Sequence, residues 1–430
     1  MKIILWGINY APEPIGIAPF NRELCEYLAA RGHEVAAMTS FPYYPHWRKE
    51  RGDRGRWSRT DLIAGVRVHR CWCYVPSVVT SLGRIVHELS FGLVSAVQLL
   101  FRPRADIYVV VSPPLALGFF AWIVTALKRS RYVFHVQDLQ PDAAVELGMV
   151  RRGWFTRALY ALERLAYAKA AVVSGISGGM MTAIRAKGVS GAKLVLLPNW
   201  LRTDAAASAP AKSRAGARGR FGVPDGTLLA VYAGNLGRKQ SLEILMEAAY
   251  LLAARSPASA VPIHFIIAGD GAARPALEKS LAAHPQLGVR LLPLLCDDDY
   301  AALLRAADVA LITQAAGTGR FFFPSKLLSV LAAGLPVVAV ADATSELARA
   351  VREGGFGCAV QPGDAIGLAE VLRRLGRNRA PLEAWSAATG WARQFSRESI
   401  LPRFEQVLLA AAGEKQDIQP PPLPEAALPA

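Results

Sequence analysis

The sequence predicts an α/β protein made of two Rossmann-like, doubly wound domains in series. Short apolar runs, typical of buried parallel strands, alternate with helical patterns along most of the 430 residues. The alternation stops in a stretch of small and basic residues at about 203–222, then resumes without repeating the earlier sequence. Because a domain takes ~150 residues, this length, with 52% hydrophobic residues, is enough for at least two buried cores.

The first domain is predicted to span residues 1–202. An apolar run at Lys2–Ile8 predicts a strand, and the amphipathic helix that follows has Gly32 placed to end it. A second strand at Val35–Met38 completes a βαβ unit, so we expect a parallel sheet. Its other strands are predicted at Ile107–Val111, Tyr132–Val136, Ala171–Val173 and Leu194–Leu197.

The second domain is predicted at 223–384, after a linker at 203–222. Its strands are expected at Leu228–Ala233, Ile263–Ala268, Val289–Leu292, Val309–Ile312, Val337–Val340 and Cys358–Val360. Residues 385–413 carry a helical pattern with aromatic contacts. The proline-rich residues 414–430 predict a disordered tail, because such a segment cannot pack as helix or strand.

The net charge of +15 favours anionic partners, which include phosphates, an acidic membrane surface and nucleic acid. The five cysteines form no pair of CxxC units, so neither zinc nor a disulfide framework is predicted, and a reducing compartment is expected. The N-terminal apolar run is too short for a signal peptide. The apolar run Leu115–Leu127 is shorter than the ~20 residues of a spanning helix, so no transmembrane segment is expected.

Two segments of the first domain carry polar groups beyond predicted strands, where open α/β sheets bind ligands. In the loop Asn9–Ala18, Gly16 would let the backbone approach a phosphate, or would simply make a turn. After the strand that ends near Val136, His135 or Asp138 would hydrogen-bond a sugar or accept a proton. The alternative for Asp138 and Asp142 is that they cap the next turn.

The second domain has two candidate phosphate cradles at strand-to-helix turns. In Gly234–Gln240, two glycines free the backbone, and Arg238 and Lys239 add positive charge. In Gly317–Lys326, Lys326 would lie at the positive end of a helix. Each alone is also compatible with an ordinary turn or capped helix, but together they favour a phosphate-bearing ligand. The run Asp297–Asp299 is expected to cap a helix rather than bind a metal.

Residues of about 43–131 are candidates for a membrane-facing surface. The helical patterns at 85–101 and 115–127 are apolar and flanked by arginine and lysine, which suits an anionic membrane interface. The alternative is that they are buried helices of the first domain. The aromatic and basic residues between Tyr43 and Trp72 are expected to form a mobile acceptor or membrane loop.

Six motifs, in their order and spacing, resemble bacterial glycosyltransferases of family 4, the retaining group with the GT-B fold. The subgroup that makes exopolysaccharides and colanic acid is most similar, and the resemblance covers residues 1 to about 412. The motifs are Tyr10–Glu13 with Gly16, Gln137–Asp142, Leu197–Trp200, Gly234–Gly237, Ala268–Gly271, and Pro324–Lys326 through Gly334–Pro336. The resemblance implies two domains facing across a cleft, with helices of 385–413 returning to the first domain.

The resemblance also implies roles for residues. The catalytic set is His135, Asp138, Lys239 and Lys326. Donor-binding residues are Gly16, Gly234, Asn235, Gly237, Arg238, Gln240, Gly269, Leu294, Leu295, Pro324, Ser325 and Ser329. Acceptor-binding residues are Tyr10, Glu13, Gln140, Asp142 and Asn199. Many relatives have Arg at Asn235, Lys at Gln240 and Glu at Ser329, so the identity of the donor is the point on which this chain departs from them.

The function implied is transfer of a hexose from a UDP- or GDP-linked sugar, with retention and without metal or cofactor. The expected acceptor is a polyprenyl-diphosphate-linked saccharide at the cytoplasmic face of the plasma membrane, with no nucleic-acid partner. Two alternatives remain: a UDP-sugar 2-epimerase of similar architecture, and an inactive membrane-associated scaffold that binds sugar nucleotides.

Overall fold

The computed structural model describes residues 1–14, 16–146, 153–201, 214–254, 261–320 and 326–413. The chain divides into two compact units. Unit 1 comprises Met1–Asn199 together with Glu398–Ala430, and unit 2 comprises Trp200–Arg397.

Unit 1 is built on one sheet of eight strands in the order β3-β4-β2-β1-β5-β6-β7-β8. Its strands are β1 (Lys2–Trp6), β2 (Glu34–Ser40), β3 (Ser58–Ile63), β4 (Val66–Cys71), β5 (Ile107–Ser112), β6 (Arg131–Val136), β7 (Val172–Gly175) and β8 (Leu194–Leu196). Its first helices are α1 (Ala18–Ala30), α2 (Ser81–Leu100), α3 (Ala116–Leu127), α4 (Gln140–Glu146), α5 (Trp154–Lys169) and α6 (Gly178–Ala186).

The centre of the first sheet is parallel and covered on both faces. Strand β1 pairs in parallel with both β2 and β5, and every residue of β5 is buried. The chain therefore runs outward from β1 in one direction, then returns to add β5 on its other side. Such a reversal opens a crevice at the carboxyl ends of the two central strands, which is where open α/β sheets bind ligands.

An antiparallel hairpin occupies the edge where the sequence predicted a mobile loop, so that prediction was wrong for residues 58–71. Strands β3 and β4 pair from Ser58 with Cys71 to Ile63 with Val66. Ala64 and Gly65 both have positive φ angles, of 48° and 81°, as a two-residue hairpin turn requires. The pattern was missed because β3 alternates exposed and half-buried residues and is rich in polar side chains.

Unit 2 has six parallel strands in the order β11-β10-β9-β12-β13-β14, the order of a dinucleotide-binding fold. The strands are β9 (Leu228–Ala233), β10 (Ile263–Ala268), β11 (Val289–Leu292), β12 (Val309–Thr313), β13 (Val337–Val340) and β14 (Gly357–Val360). The helices are α7 (Arg214–Arg220), α8 (Glu243–Ala254), α9 (Arg274–Ala283), α10 (Asp297–Ala306), α11 (Lys326–Ala332), α12 (Glu346–Gly354), α13 (Ala365–Arg377) and α14 (Ala380–Ala387). All six predicted strands are confirmed to within one residue.

The chain after α14 is shared between the units. A 3-10 segment at Ala388–Phe395 belongs to unit 2, because Trp391 packs between Phe356 and Phe395 with ring centroids 5.3 and 5.1 Å away. The last helix, α15 (Arg397–Ala412), belongs to unit 1 from Glu398 onward. The expectation that all of 385–413 packs on the first domain was therefore wrong for its first half.

Helix α15 is held to unit 1 by a polar cluster at Glu405. The Glu405 carboxylate accepts hydrogen bonds from Tyr27 and Arg31, and contacts His33 Nε2 at 2.9 Å. Burial raises the pKa of Glu405, but the contacts with His33, Tyr27 and Arg31 outweigh it and hold that pKa below its usual value. Helix α7, which lies inside the predicted linker, packs on unit 2 through Arg218. Residues 202–213 and 414–430 lie outside the described residues.

Candidate functional site

In unit 2, the loops after β9 and β10 interlock at the carboxyl end of the sheet. The backbone N–H of Gly234 donates to Ala268 at 2.9 Å, and that of Leu236 donates to Asp270 at 2.9 Å. Gly269 has a φ of 146°, and a Cβ on it would collide with the carbonyl oxygen of Gly234. The glycine therefore allows two backbones to touch, and this packing role accounts for Gly269 without a donor contact.

Lys326, the first residue of α11, brings its amine to this same loop. The Nζ atom is 3.8 Å from the centre of the Tyr232 ring. It would also lie 3.5 Å from a Cβ added to Gly234, which is van der Waals contact. Within the described residues, Nζ is buried and has no hydrogen-bond partner. Burial lowers the pKa of Lys326 to about 7. A buried amine without an acceptor is expensive to leave in place, and an anion beside Gly234 would satisfy it.

The other predicted donor residues of this loop and of the turn that follows it differ in their exposure. Asn235 and Arg238 are exposed, and Gly237 leads into a 3-10 turn at Arg238–Gln240. The backbone carbonyl of Lys239 accepts from the N–H of Ala315, which fixes that turn, and the Oε1 of Gln240 is buried without a partner among the described residues.

Three further predicted donor residues lie toward α10 and α11. Leu294 and Leu295 are half-buried just before α10, and Ser329 hydrogen-bonds Tyr300. Burial raises the pKa of Tyr300 to about 12, so this hydroxyl stays protonated. Pro324 and Ser325 lie outside the described residues.

Unit 1 contains its own cavity, of about 290 Å³, beyond the carboxyl ends of its central strands. Two predicted site residues, Gly16 and Asp138, line it. The remaining lining comes from Ile8, Asn9, Ile17, Tyr43, Tyr44, Trp47, Arg84, His87, Glu88, Pro113, Pro114 and Gln137. The wall is therefore aromatic, with a small number of polar groups, as in most small-molecule sites.

Glu13, predicted to bind acceptor, instead supports this wall. One carboxylate oxygen accepts from the backbone N–H groups of Tyr43 and Tyr44 at 3.0 and 2.9 Å. The other accepts from Asn9 Nδ2 at 2.8 Å. Burial raises the pKa of Glu13, and these hydrogen bonds oppose the shift. Gln140 acts similarly: it accepts from the Leu115 N–H at 2.6 Å and donates to Glu88 at 3.2 Å.

His135, predicted as catalytic, does not line the cavity. It is 3% exposed, and both ring nitrogens are engaged: Nδ1 with Ser174 Oγ at 2.9 Å and Nε2 with Gln137 Nε2 at 2.8 Å. Because an amide nitrogen can only donate, Nε2 is the acceptor and Nδ1 carries the proton. Burial lowers the pKa of His135 to about 3. The ring holds Gln137, which in turn exchanges two 2.9 Å hydrogen bonds with Asn199.

Three other predicted acceptor residues, Tyr10, Asp142 and Asn199, do not line the cavity. Tyr10 is 1% exposed and lies beside the buried Cys25, and burial raises the pKa of both groups. Asp142 faces α5 and α6, where it pairs with Lys187 and accepts from Tyr160. Asn199 contacts Gln137 rather than the cavity. The motifs placed these residues correctly close to the ends of strands. They could not show which residues face the cavity, because neighbouring positions on a strand face opposite sides.

The comparisons with known proteins agree with this architecture. A family model described as "Glycosyl transferase 4-like domain" matches residues 16–200, and one described as "Glycosyl transferases group 1" matches residues 227–378. This chain is a family 4 glycosyltransferase. The putative colanic acid biosynthesis glycosyl transferase WcaI of Escherichia coli K12 is 34% identical over 375 residues, covering 85% of this chain and 88% of that protein. The probable glycosyltransferase WbjE of Pseudomonas aeruginosa is 26% identical over 296 residues, 68% of this chain and 71% of that protein.

Solved structures share the fold of this glycosyltransferase. Sucrose-phosphate synthase from Thermosynechococcus elongatus has a TM-score of 0.74 and 17% identity, covering 94% of this chain and 98% of that chain. HepE from Anabaena in complex with UDP-glucose has a TM-score of 0.70 and 16% identity, covering 95% of this chain and 100% of that chain. The two units of this glycosyltransferase therefore have the GT-B fold.

The glycosyltransferase also exposes an apolar stripe on α2. Leu82, Leu89 and Leu93 are 71%, 46% and 56% exposed, and Phe101, just beyond the helix, is 87% exposed. Helix α2 packs on α3, and α3 packs on α5, whose Trp154 is 80% exposed. Within the described residues, no helix is both long and apolar enough to cross a membrane. The same residues contain no cluster of three His, Cys, Asp or Glu side chains able to hold a metal ion.

Sequence reasoning missed the cavity residues of α2, which are Arg84, His87 and Glu88. They line the same cavity as Gln137 and Asp138 only through the tertiary placement of α2, and no spacing in the sequence encodes that placement. The one available signal was the helical pattern at 85–101, in which polar residues interrupt an apolar helix. That these residues face a cavity could be seen only in the folded structure.

Proposed function

We propose that this glycosyltransferase moves a hexose from a UDP- or GDP-linked sugar to a lipid-linked saccharide, with retention and without a metal or other cofactor. The observation that carries the proposal is the buried amine of Lys326 beside Gly234, at the carboxyl end of β9, which has no hydrogen-bond partner among the residues that the structure describes. A diphosphate placed there meets the amine and the Gly234 loop, with Arg238 and Lys239 on the following turn. The complexes of HepE with UDP-glucose are consistent with a donor of this class.

The chemistry requires these cations in the transition state. When the glycosidic bond breaks, negative charge grows on the departing diphosphate while the sugar becomes oxocarbenium-like. Lys326 is held in place before the reaction, so it stabilises that charge without reorganisation, and one such group is typically worth ~3 kcal/mol. In a retaining transfer, the acceptor hydroxyl approaches from the face that the diphosphate leaves, and a diphosphate oxygen takes its proton. His135 then has a positioning role only, since both its nitrogens are occupied.

The α2 surface supports a membrane-bound acceptor. Its stripe is apolar and exposed, and exposed Arg104 and Arg129 lie just beyond α2 and α3. An amphipathic surface of this kind binds at an anionic lipid interface, where each nearby cation adds about 1 kcal/mol. The enzyme would then act from the cytoplasmic face of the plasma membrane. The likeness to WcaI, named for colanic acid biosynthesis, supports an exopolysaccharide product.

The donor half of the proposal is tested by thermal unfolding with UDP-glucose, GDP-mannose, GDP-fucose, ADP-glucose and NADH. A ligand at ~100 times its Kd adds ~2.7 kcal/mol to the free energy of unfolding. One UDP- or GDP-sugar should stabilise the wild type and Lys279→Ala, which changes an exposed lysine of α9, but not Lys326→Ala. Stabilisation by NADH alone, or by no nucleotide sugar, would contradict the proposal.

The acceptor half is tested by flotation with vesicles. Phosphatidylglycerol vesicles should bind the wild type, and the pair Leu89→Asp and Leu93→Asp should reduce binding at least tenfold, because each leucine contributes ~1.5–3 kcal/mol when buried. Tyr250→Asp, on the surface of unit 2, is the matched control. Equal flotation of all variants would refute the membrane surface. Conversion of a UDP-sugar to its 2-epimer without acceptor would identify the rival activity.

A further inference from the structure

The cavity of unit 1 has an aromatic wall that the reaction described so far does not use. Tyr43 and Trp47 meet with ring centroids 5.4 Å apart, and both contact the ring of His87, at 4.5 and 5.3 Å. Aromatic faces of this kind pack against the apolar C–H face of a sugar ring, while polar groups at the edge take its hydroxyls. At about 290 Å³ the cavity is at the small end of ligand pockets.

His87 presents an unused acceptor in this wall. The residue is 1% exposed, and its Nδ1 contacts the backbone carbonyl of Tyr74, so Nδ1 carries the proton. Its Nε2 is then a bare acceptor, and within the described residues it has no hydrogen-bond partner. Burial lowers the pKa of His87 to about 4, so the ring stays neutral near pH 7. The group needs a donor, and a hydroxyl supplies one.

Trp47 carries backbone strain at the same place. Its φ angle is 51°, in the left-handed region that a bulky residue rarely adopts. Strain of this kind concentrates at ligand clamps, where the surrounding structure holds a side chain in a required position. Here the ring is held against Tyr43 and His87, and Tyr43 is in turn fixed by the Glu13 carboxylate.

The charges of the cavity distinguish between the two substrates. Glu88 and Asp138 line it with Arg84 as the one cation among the lining side chains, which disfavours a diphosphate. Burial raises the pKa of Glu88, and Arg84 and Gln140 oppose the shift. The same helix, α2, supplies Arg84, His87 and Glu88 to the cavity and exposes Leu82 and Leu89 on its other side.

We propose that this cavity holds one sugar ring of the acceptor, with His87 Nε2 accepting a hydrogen bond from a sugar hydroxyl and Trp47 packing on the ring face. This rests on the proposed function, since it takes the acceptor to be a saccharide with an apolar tail. His87 is then a specificity-determining residue: a buried acceptor that loses its hydroxyl partner is left unsatisfied, so the corresponding deoxy sugar is rejected.

The test uses octyl glycosides of glucose, galactose and mannose as sugars with an apolar tail, with binding measured by saturation-transfer NMR below their micelle concentrations. Two variants of His87 separate the ring nitrogens. His87→Asn keeps a donor near the Nδ1 position for Tyr74 but removes the acceptor. His87→Gln keeps an acceptor near the Nε2 position but loses the donor. At least one glycoside should bind the wild type and His87→Gln, and bind His87→Asn at least tenfold more weakly.

A second pair of variants keeps the proposal testable should a histidine variant fail to fold. Trp47→Phe should retain glycoside binding and Trp47→Ala should lose it. The proposal is overturned by equal glycoside affinity in His87→Asn and His87→Gln, by no binding of any glycoside, or by equal binding of octyl tetraethylene glycol, which has the tail without the sugar. Stabilisation by nucleotide sugar should be unchanged in all four variants. The proposal for the donor site of unit 2 is therefore tested independently of the proposal for this cavity.

Discussion

The two units share the order of their central parallel strands but place different polar groups at the carboxyl ends of those strands. Unit 2 brings a buried amine, that of Lys326, to a glycine turn, and within the described residues this amine has no hydrogen-bond acceptor. Unit 1 lines its cavity with aromatic rings, two carboxylates, Arg84 and the Nε2 of His87, and within the described residues that Nε2 has no hydrogen-bond donor. On our proposals, unit 2 holds a diphosphate and unit 1 holds a neutral sugar, and the difference between them lies in the residues of the strand-end loops and of α2.

The largest effect is expected when the amine of Lys326 in unit 2 is removed. Lys326→Ala should lower kcat/KM for the nucleotide sugar by about a hundredfold or more, because one preorganised charge donor is worth ~3 kcal/mol in the transition state. Initial rates with saturating acceptor provide the measurement, and Lys279→Ala should leave them unchanged. Glycoside binding by unit 1 should be unaffected, and a loss there as well would show that the substitution damages the whole fold.

A second prediction concerns the interlocked loops that hold the amine. Gly269→Ala should lower the free energy of unfolding of unit 2 by about 1–3 kcal/mol, because its Cβ meets the carbonyl oxygen of Gly234 and its φ of 146° disfavours alanine. Gly390→Ala is the control, since a Cβ there has no atom within 4 Å. Urea unfolding followed by tryptophan fluorescence would measure both variants. Equal stability would mean that the close approach is not needed.

A smaller effect is expected in unit 1, at His135. His135→Gln retains an acceptor for Gln137, so kcat/KM should fall less than tenfold and its pH profile should keep the wild-type shape. A histidine whose pKa is lowered to about 3 stays neutral across the working range. If His135 were a general base, its loss would reduce the rate by about 10²–10⁴ and remove one limb of the pH profile.

The sequence was informative where function follows from short motifs, and weak where it follows from packing. Strand runs such as Leu228–Ala233 were predicted directly, and so was the position of Lys326 at the start of a helix, because buried strands and helix starts have local signatures. The hairpin of Ser58–Cys71 was missed because its strands are short and polar on one side. His87 was missed because it lines the same cavity as Gln137 only through the tertiary placement of α2. The contacts of His135 with Ser174 and Gln137 were not predicted, because they depend on the neighbours of β6.

The central claim is that the amine of Lys326 binds the donor diphosphate. It is tested most directly by measuring the protons that the protein takes up when a nucleotide sugar binds. With a pKa of about 7, the empty site is mostly neutral at pH 8, and an anion beside Nζ raises that pKa. Affinity for a nucleotide sugar, whose phosphates do not titrate near neutrality, should therefore fall as pH rises above 7, by up to about tenfold per unit.

Calorimetric titration of UDP-glucose, or of GDP-mannose if it stabilises more, at pH 8 in buffers of different ionisation enthalpy measures this uptake. The account predicts uptake of close to one proton by the wild type and of none by Lys326→Arg, whose guanidinium stays charged. Binding without proton uptake by the wild type, or equal uptake by Lys326→Arg, would contradict it.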